Sequence, residues 1–159
     1  EMRILEIGAG TGKYSHYFAR KGYEVDAVEL MKCNIDVFRA NTTPEEKISV
    51  IQGDAICLER IESEKYDVTL LLGPMYHLYT MEDKQRALQE AVRVTKPNGI
   101  ILVAYCMNEY GVLTYAFKEF TVPYIGILTK KSQFSLTNLL IPNPSLPITI
   151  AIGPVKSWL

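Results

Sequence analysis

The chain has 159 residues, of which 48% are hydrophobic and 22% are charged, and its net charge is −1. This composition suits one folded domain and excludes general disorder. The longest apolar run, Ile100 to Met107, has eight residues, whereas a membrane-spanning helix needs roughly 20, so no membrane partner is expected. The balanced charge gives no support to nucleic acid bound by bulk electrostatics.

Charges and prolines divide the chain after Glu109. The first 109 residues carry 30 of the 35 charged residues, while the remaining 50 carry five of the eight prolines. We therefore expect a core domain at 1–109 and an atypical segment at 110–159. Either that segment is a helix with edge strands of the same domain, or it is an ending foreign to the fold. The pattern leaves both interpretations open.

Three cysteines, Cys33, Cys57 and Cys106, have no spacing typical of a metal site. An odd number also argues against a disulfide framework. We expect these residues to be buried small hydrophobes in a reducing, cytoplasmic protein. No metal is expected, since no cluster of histidine, cysteine and carboxylate side chains has ligand spacing.

Apolar runs alternate with helical patterns along the first 109 residues, which favours a parallel sheet built by right-handed crossovers. Several strands are apolar on both faces, as expected when helices cover both sides of a sheet. The predicted elements are, in chain order, a strand at Arg3 to Ile7, a helix ended by Gly22, a strand at Glu24 to Leu30, a helix at Met31 to Ala40, strands at Lys47 to Gln52 and Tyr66 to Leu72, a helix at Met81 to Val94 capped by Thr80, a turn at Pro97-Asn98-Gly99 and a strand at Ile100 to Cys106.

A glycine-rich turn follows the first strand and opens the first helix, in the run Leu5-Glu6-Ile7-Gly8-Ala9-Gly10-Thr11-Gly12. Glycine allows a tight turn and lets a ligand approach the main chain, and the helix start adds unpaired N–H donors. A P-loop is excluded because Ile7 stands where its first glycine belongs. The dinucleotide pattern G-x-G-x-x-G/A also fails, because Lys13 occupies its last position.

The remaining pattern, acidic-x-G-x-G-x-G, resembles motif I of the class I S-adenosylmethionine-dependent methyltransferases. This resemblance implies that S-adenosylmethionine is the cofactor and S-adenosylhomocysteine its product. It also implies that the whole turn contributes to the cofactor site, namely Glu6, Gly8, Ala9, Gly10, Thr11 and Gly12.

Two further strand ends agree with this resemblance. Glu29 ends the second strand, 19 residues after Gly10, where a carboxylate can accept hydrogen bonds from the ribose hydroxyls; Leu30 lies beside it in the expected cofactor site. Gln52-Gly53-Asp54-Ala55 is similar to the family's Gly-Asp-Ala turn. There the resemblance implies that Asp54 faces the adenine amino group and that the backbone N–H of Ala55 faces the ring.

The fourth strand leads into Leu72-Gly73-Pro74-Met75-Tyr76-His77-Leu78, which resembles a segment of bacterial small class I methyltransferases. Leu72 is expected to contact the cofactor. Tyr76 and His77 are the candidate catalytic residues. Of the two, His77 is the candidate general base, because it can accept a proton near neutral pH. The loop is only loosely similar to the Asp/Asn-Pro-Pro-Tyr loop of enzymes that methylate exocyclic or amide nitrogens, which argues against a nucleic-acid base as acceptor.

Val94-Thr95-Lys96-Pro97-Asn98-Gly99 resembles the family's later Leu-Lys-Pro-Gly-Gly turn. Together the motifs imply a three-layer Rossmann-like methyltransferase sandwich with a mostly parallel sheet. We expect the family's N-terminal lid to be missing, and the C-terminal strands are not assigned. The implied function is methyl transfer to a small-molecule acceptor by in-line displacement. The alternatives are a truncated or inactive copy of the fold and a nicotinamide- or flavin-dependent oxidoreductase. Oligomeric state is not predicted.

Overall fold

The computed structural model describes residues 2–104 and 149–153. Within these ranges the chain forms six strands, three α-helices and one short 3-10 turn. The elements are β1 (Arg3–Ile7), α1 (Lys13–Arg20), β2 (Glu24–Glu29), α2 (Lys32–Asn41), β3 (Ile48–Gln52), β4 (Tyr66–Leu71), the 3-10 turn (Pro74–Tyr76), α3 (Met81–Val94), β5 (Thr95–Ala104) and β6 (Thr149–Gly153).

All the described strands join one sheet in the order β3-β2-β1-β4-β5-β6, and every described pairing is parallel. The chain moves outward from β1 to β3 on one side and from β4 to β6 on the other. The order therefore reverses between β1 and β4, and in open α/β sheets ligands bind at such a switch point, outside the carboxyl ends of the strands.

The first two helices pack on the half of the sheet that contains β2 and β3, whereas α3 packs on β4 and β5. Ala19 of α1 lies in a buried cluster with Ile4, Val25 and Leu70. Phe38 of α2 is fully buried against Ala27 of the same sheet. Right-handed crossovers in opposite directions place α3 on the other face, which completes the predicted three-layer sandwich.

Helix α3 begins and ends at the predicted residues, and its cap is the predicted one. The Thr80 hydroxyl accepts a hydrogen bond from the backbone N–H of Asp83 at 3.0 Å. Its apolar stripe is buried, with Ala87, Ala91 and Val94 fully inaccessible to solvent. None of the helices in the described part of the chain is long and apolar enough to cross a membrane.

The fifth strand differs from the prediction, because it begins at Thr95 rather than Ile100. The predicted turn at Pro97-Asn98-Gly99 lies inside the strand as an irregularity. Tyr66 pairs with Thr95 and Val68 with Ile100, so the intervening residues bulge out of register. Asn98 adopts a left-handed φ of 66°. The predicted turn residues do interrupt the regular pairing, but β4 pairs with the chain on both sides of them.

The edge strand β6 lies in the atypical segment at 110–159 and runs parallel to β5. Apart from β6, the helix and edge strands considered for this segment lie outside the described residues, as does the expected domain boundary after Glu109.

Candidate cofactor site

The glycine turn between β1 and α1 requires glycine at three positions. Gly8, Gly10 and Gly12 all have left-handed φ angles, of 74°, 57° and 88°. A side chain is disfavoured in that region, so alternate positions of the turn must be glycine. The backbone N–H groups of Gly8 and Ala9 both donate to the carbonyl oxygen of Val28, at 2.8 and 3.1 Å. The turn is therefore fixed to the end of β2.

Glu29 connects this turn to the start of α2. Its side chain is buried, and its Oε2 accepts a hydrogen bond from the backbone N–H of Gly10 at 2.8 Å. Its Oε1 accepts from the backbone N–H of Met31 at 2.9 Å and from the amide of Asn34 at 3.1 Å. A carboxylate has about four acceptor positions. Three are used here, and one on Oε2 remains.

Glu6 lies beneath the turn, inside the sheet. Its side chain is buried, and its Oε2 accepts from the backbone N–H of Ser15 at 2.9 Å and from the Ser15 hydroxyl at 2.5 Å. Burial raises the pKa of Glu6 to about 7, and the neighbouring charge of Glu29 adds to this, while the Ser15 hydrogen bonds oppose it. Glu6 is thus a second buried carboxyl group below the same turn, and its pKa lies near neutral pH.

The carboxyl end of β3 lies beside Glu29. The backbone N–H of Gly53 donates to the Glu29 carbonyl oxygen at 3.1 Å. Asp54 follows in a half-buried turn, in which its Oδ1 accepts from the backbone N–H of Ile56 at 3.2 Å, and Ala55 is buried. The Gly-Asp-Ala segment therefore reaches the same sheet edge as Glu29, as the sequence predicts.

The loop after β4 packs directly on the glycine turn. A Cβ atom on Gly8 would lie 2.6 Å from Cδ of Pro74, and one on Gly73 would lie 3.0 Å from the Gly8 carbonyl oxygen. Both glycines are thus needed for this close contact. Leu72 and Tyr76 are half-buried in this segment, and His77 is exposed at the end of the 3-10 turn.

The structure thus brings the predicted cofactor residues to the carboxyl ends of β1, β2, β3 and β4. Gly10 and Glu29 are in direct contact, and the Asp54 turn is joined to β2. Thr11 and Leu30 are exposed at this edge. Sequence reasoning missed the residues that hold these groups, above all Ser15, Asn34 and Phe38. The contacts of these three residues depend on side-chain geometry that the sequence does not reveal. For Asn34 there is a partial signal, because its position five residues after Glu29 is compatible with a hydrogen bond to Glu29 at the start of α2.

The side chain of His16 is buried: its ring lies 4.9 Å from that of Phe38, and its Nδ1 is 2.9 Å from Oε2 of Glu46. The expectation of buried cysteines is wrong for Cys33 and Cys57, which are both exposed. Cys33 lies on the solvent side of α2, whose buried positions are filled by Ile35 and Phe38, and Cys57 lies in the loop between β3 and β4. Cys106 lies outside the described residues.

Comparison with known proteins agrees with this geometry. A family model described as a methyltransferase domain matches residues 5–103. The chain therefore belongs to this family, within the class I S-adenosylmethionine-dependent methyltransferases.

Two curated relatives and one solved structure are similar to the chain. It is 26% identical over 158 residues to a demethylmenaquinone methyltransferase of Renibacterium salmoninarum, covering 99% of this chain and 60% of the relative. It is 29% identical over 106 residues to a ubiquinone biosynthesis O-methyltransferase of Rickettsia typhi, covering 65% of this chain and 41% of the relative. The structure of the PH0226 protein of Pyrococcus horikoshii matches with a TM-score of 0.57 and 26% identity, over 61% of this chain and 45% of that one. The chain thus spans about half the length of its relatives.

Alanine substitutions at Gly12 and Gly22 separate two destabilising effects. One is the left-handed φ, which both positions share, and the other is the steric clash of an added Cβ, which arises at Gly12. Their φ angles are 88° and 92°, but a Cβ on Gly12 would lie 2.5 Å from the Phe38 ring, whereas one on Gly22 would meet no described atom within 4 Å beyond its chain neighbours. We expect Gly22→Ala to lower the free energy of unfolding by about 1–2 kcal/mol. Gly12→Ala should cost about 1–3 kcal/mol more. Equal losses in urea denaturation would contradict the Phe38 contact.

Glu6 predicts a pH dependence of stability. Its folded pKa of about 7 lies above the reference value of 4.5, so the native state holds the proton more tightly. Stability should therefore fall as the pH rises through this window, by up to about 3 kcal/mol. Glu6→Gln retains an oxygen for Ser15 and should be more stable than the wild type at pH 8, with a smaller difference at pH 5. Urea denaturation at both pH values measures this, with the exposed Glu82→Gln as control. Parallel pH profiles for wild type and Glu6→Gln would contradict it.

Proposed function

We propose that this protein transfers the methyl group of S-adenosylmethionine to a small-molecule acceptor. The observation that carries the proposal is the contact between Gly10 and Glu29, because it places a buried carboxylate with a free acceptor position beside a left-handed glycine turn. Family membership and the names of the relatives support it. They give no support to the oxidoreductase alternative or to an inactive copy of the fold.

The cofactor is assigned to the edge formed by the ends of β1, β2, β3 and β4. Glu29 accepts hydrogen bonds from the ribose through its remaining position on Oε2. Oε1 would hold a second hydroxyl only in exchange for the Asn34 amide, which makes the longest of the three bonds to this carboxylate. Asp54 and Ala55 face the adenine, and the exposed Leu30 supplies apolar surface at the same edge.

Catalysis in this proposal consists mainly of alignment. The donor sulfur is already positively charged, so the chain holds the methyl group and the acceptor in line and excludes water. Tyr76 and His77 follow β4 on a loop packed against the glycine turn, and they are assigned to the acceptor side. His77 accepts the proton that the acceptor releases. The free, exposed thiols of Cys33 and Cys57 are compatible with a reducing, cytoplasmic setting.

Binding of S-adenosylhomocysteine, measured by titration calorimetry, tests the cofactor assignment. We expect the intact protein to bind it and Glu29→Ala to bind it roughly tenfold to a hundredfold more weakly, because hydrogen bonds to a charged group are lost. Glu24→Ala, at the other end of the same strand and paired with Arg3, is the matched control and should bind normally. Absence of heat with the intact protein would overturn the proposal. Normal binding by Glu29→Ala would remove only Glu29 from the site.

His77 is tested by turnover. With an acceptor found in a panel of small hydroxyl and amine compounds, we expect His77→Gln to lower kcat by about 10²–10⁴-fold, as for loss of a general base. Affinity for S-adenosylhomocysteine should not change, since His77 is placed on the acceptor side. Release of S-adenosylhomocysteine measures kcat, and the exposed Tyr79→Phe serves as control. An unchanged kcat would remove His77 from catalysis.

A further inference from the structure

Helix α3 carries an ion pair that does not face the cofactor edge but holds the loop leading away from it. Arg93 Nε and Nη2 donate to the two carboxylate oxygens of Glu90, each at 2.8 Å, in a bidentate arrangement. The side chains of Arg93 and Glu90 are 32% and 20% exposed, so both are mostly shielded from water. We call these two residues the Glu90–Arg93 pair.

The Glu90–Arg93 pair binds the backbone of the β3–β4 loop. Glu90 Oε2 accepts from the backbone N–H of Leu58 at 2.7 Å, and Arg93 Nη2 donates to the carbonyl oxygen of Leu58 at 2.8 Å. Arg93 Nη1 donates to the carbonyl oxygen of Ile61 at 2.8 Å and to the hydroxyl of Ser63 at 3.2 Å. One guanidinium group thus fixes a loop segment that lies about 30 residues away in the chain.

The fixed segment begins directly after the Asp54 turn. Leu58 follows Cys57, whose backbone N–H donates to the Asp54 carbonyl oxygen at 3.0 Å. At its other end the turn is held by the bond from Gly53 N–H to the Glu29 carbonyl oxygen. The turn therefore has two anchors, β2 on one side and the Glu90–Arg93 pair on the other. Among the described residues, the carboxylate of Asp54 is held by one hydrogen bond, from the N–H of Ile56 at 3.2 Å.

We propose that the Glu90–Arg93 pair positions Asp54 for recognition of the adenine amino group, and so sets the base preference of the cofactor site. This inference rests on the proposed function, and it assigns to Arg93 and Glu90 a positioning role with no contact to the cofactor. A side chain held by one backbone bond depends on its turn for its direction, and a displacement of about 1 Å is enough to lose a hydrogen bond. The guanidinium group of Arg93 donates hydrogen bonds in fixed directions to four groups, which belong to Glu90, Leu58, Ile61 and Ser63. These bonds fix the loop that follows the Asp54 turn.

The test compares two ligands that differ only at the group Asp54 is assigned to read. S-adenosylhomocysteine carries the 6-amino group, and its 6-deamino analogue, in which unsubstituted purine replaces adenine, carries a hydrogen atom there and keeps N1 as an acceptor. Calorimetric Kd values for both are measured on the intact protein and on each variant. We expect the wild type to prefer the amino ligand about tenfold or more, as for one hydrogen bond to a carboxylate. Arg93→Met should reduce this preference to about twofold or less, because it removes all the guanidinium contacts.

Three further variants separate positioning from general stability. Arg86→Met on the same helix removes an exposed pair with Glu82 and should keep the wild-type preference. Glu90→Gln retains an oxygen for Leu58 and should lose less of the preference than Arg93→Met. Asp54→Ala removes the acceptor and should abolish the preference, and adding Arg93→Met to it should change the preference by no more than about twofold, since both act through one group. The preference is the ratio of the two Kd values measured on one protein sample. Partial unfolding of a variant changes both Kd values by the same factor and leaves their ratio unaltered.

The outcomes distinguish this inference from the function on which it rests. If the wild type binds neither ligand, the proposed function fails and the inference fails with it. If the wild type binds both ligands equally, or Arg93→Met weakens both by the same factor, the inference is overturned and the proposed function stands. A further large loss on adding Arg93→Met to Asp54→Ala also overturns it, because Arg93 would then act independently of Asp54.

Discussion

The hydrogen bond from the Gly10 N–H to the Glu29 carboxylate is the contact on which the cofactor edge depends. It joins the turn after β1 to the end of β2, while the other oxygen of Glu29 holds the start of α2 through Met31 and Asn34. Three elements thus share one buried carboxylate. The left-handed backbone of the turn makes this geometry possible, because it directs the Gly10 N–H towards β2 instead of into the helix.

Burying two carboxylates below one turn is unfavourable, and the structure offsets this cost differently at each. Glu29 accepts hydrogen bonds from three donors, whereas Glu6 depends on Ser15 alone and has its pKa raised to about 7. A cation bound at this edge would favour the ionised form of Glu6. In the proposed function the donor is a sulfonium, so the positive charge of the ligand offsets part of the cost of burying these carboxylates.

The sequence predicts the elements whose signals are local, and it fails where the decisive contact is distant. Helix α3 is correct at both ends because Thr80 is a local cap and the apolar stripe has helical period. The sequence predicts that the glycine turn, Glu29 and Asp54 lie at one edge of the sheet, because each lies at or just after the end of a strand. By contrast, the start of β5 is missed because pairing with Tyr66 continues the strand across a turn sequence. The Glu90–Arg93 pair is missed because nothing near it in the chain indicates that its partners are backbone groups of the β3–β4 loop.

The contact between Gly8 and Pro74 links the two halves of the proposed reaction. The cofactor turn after β1 and the loop after β4 meet at the switch point, where a Cβ on Gly8 would enter the Pro74 ring. The proline has no N–H to satisfy and a fixed φ, so it can fill this space without a hydrogen-bonding partner. A shift of either loop would move the other. In the proposed function, the alignment of donor and acceptor, the main requirement of an in-line displacement, therefore rests on the packing of these two loops against each other.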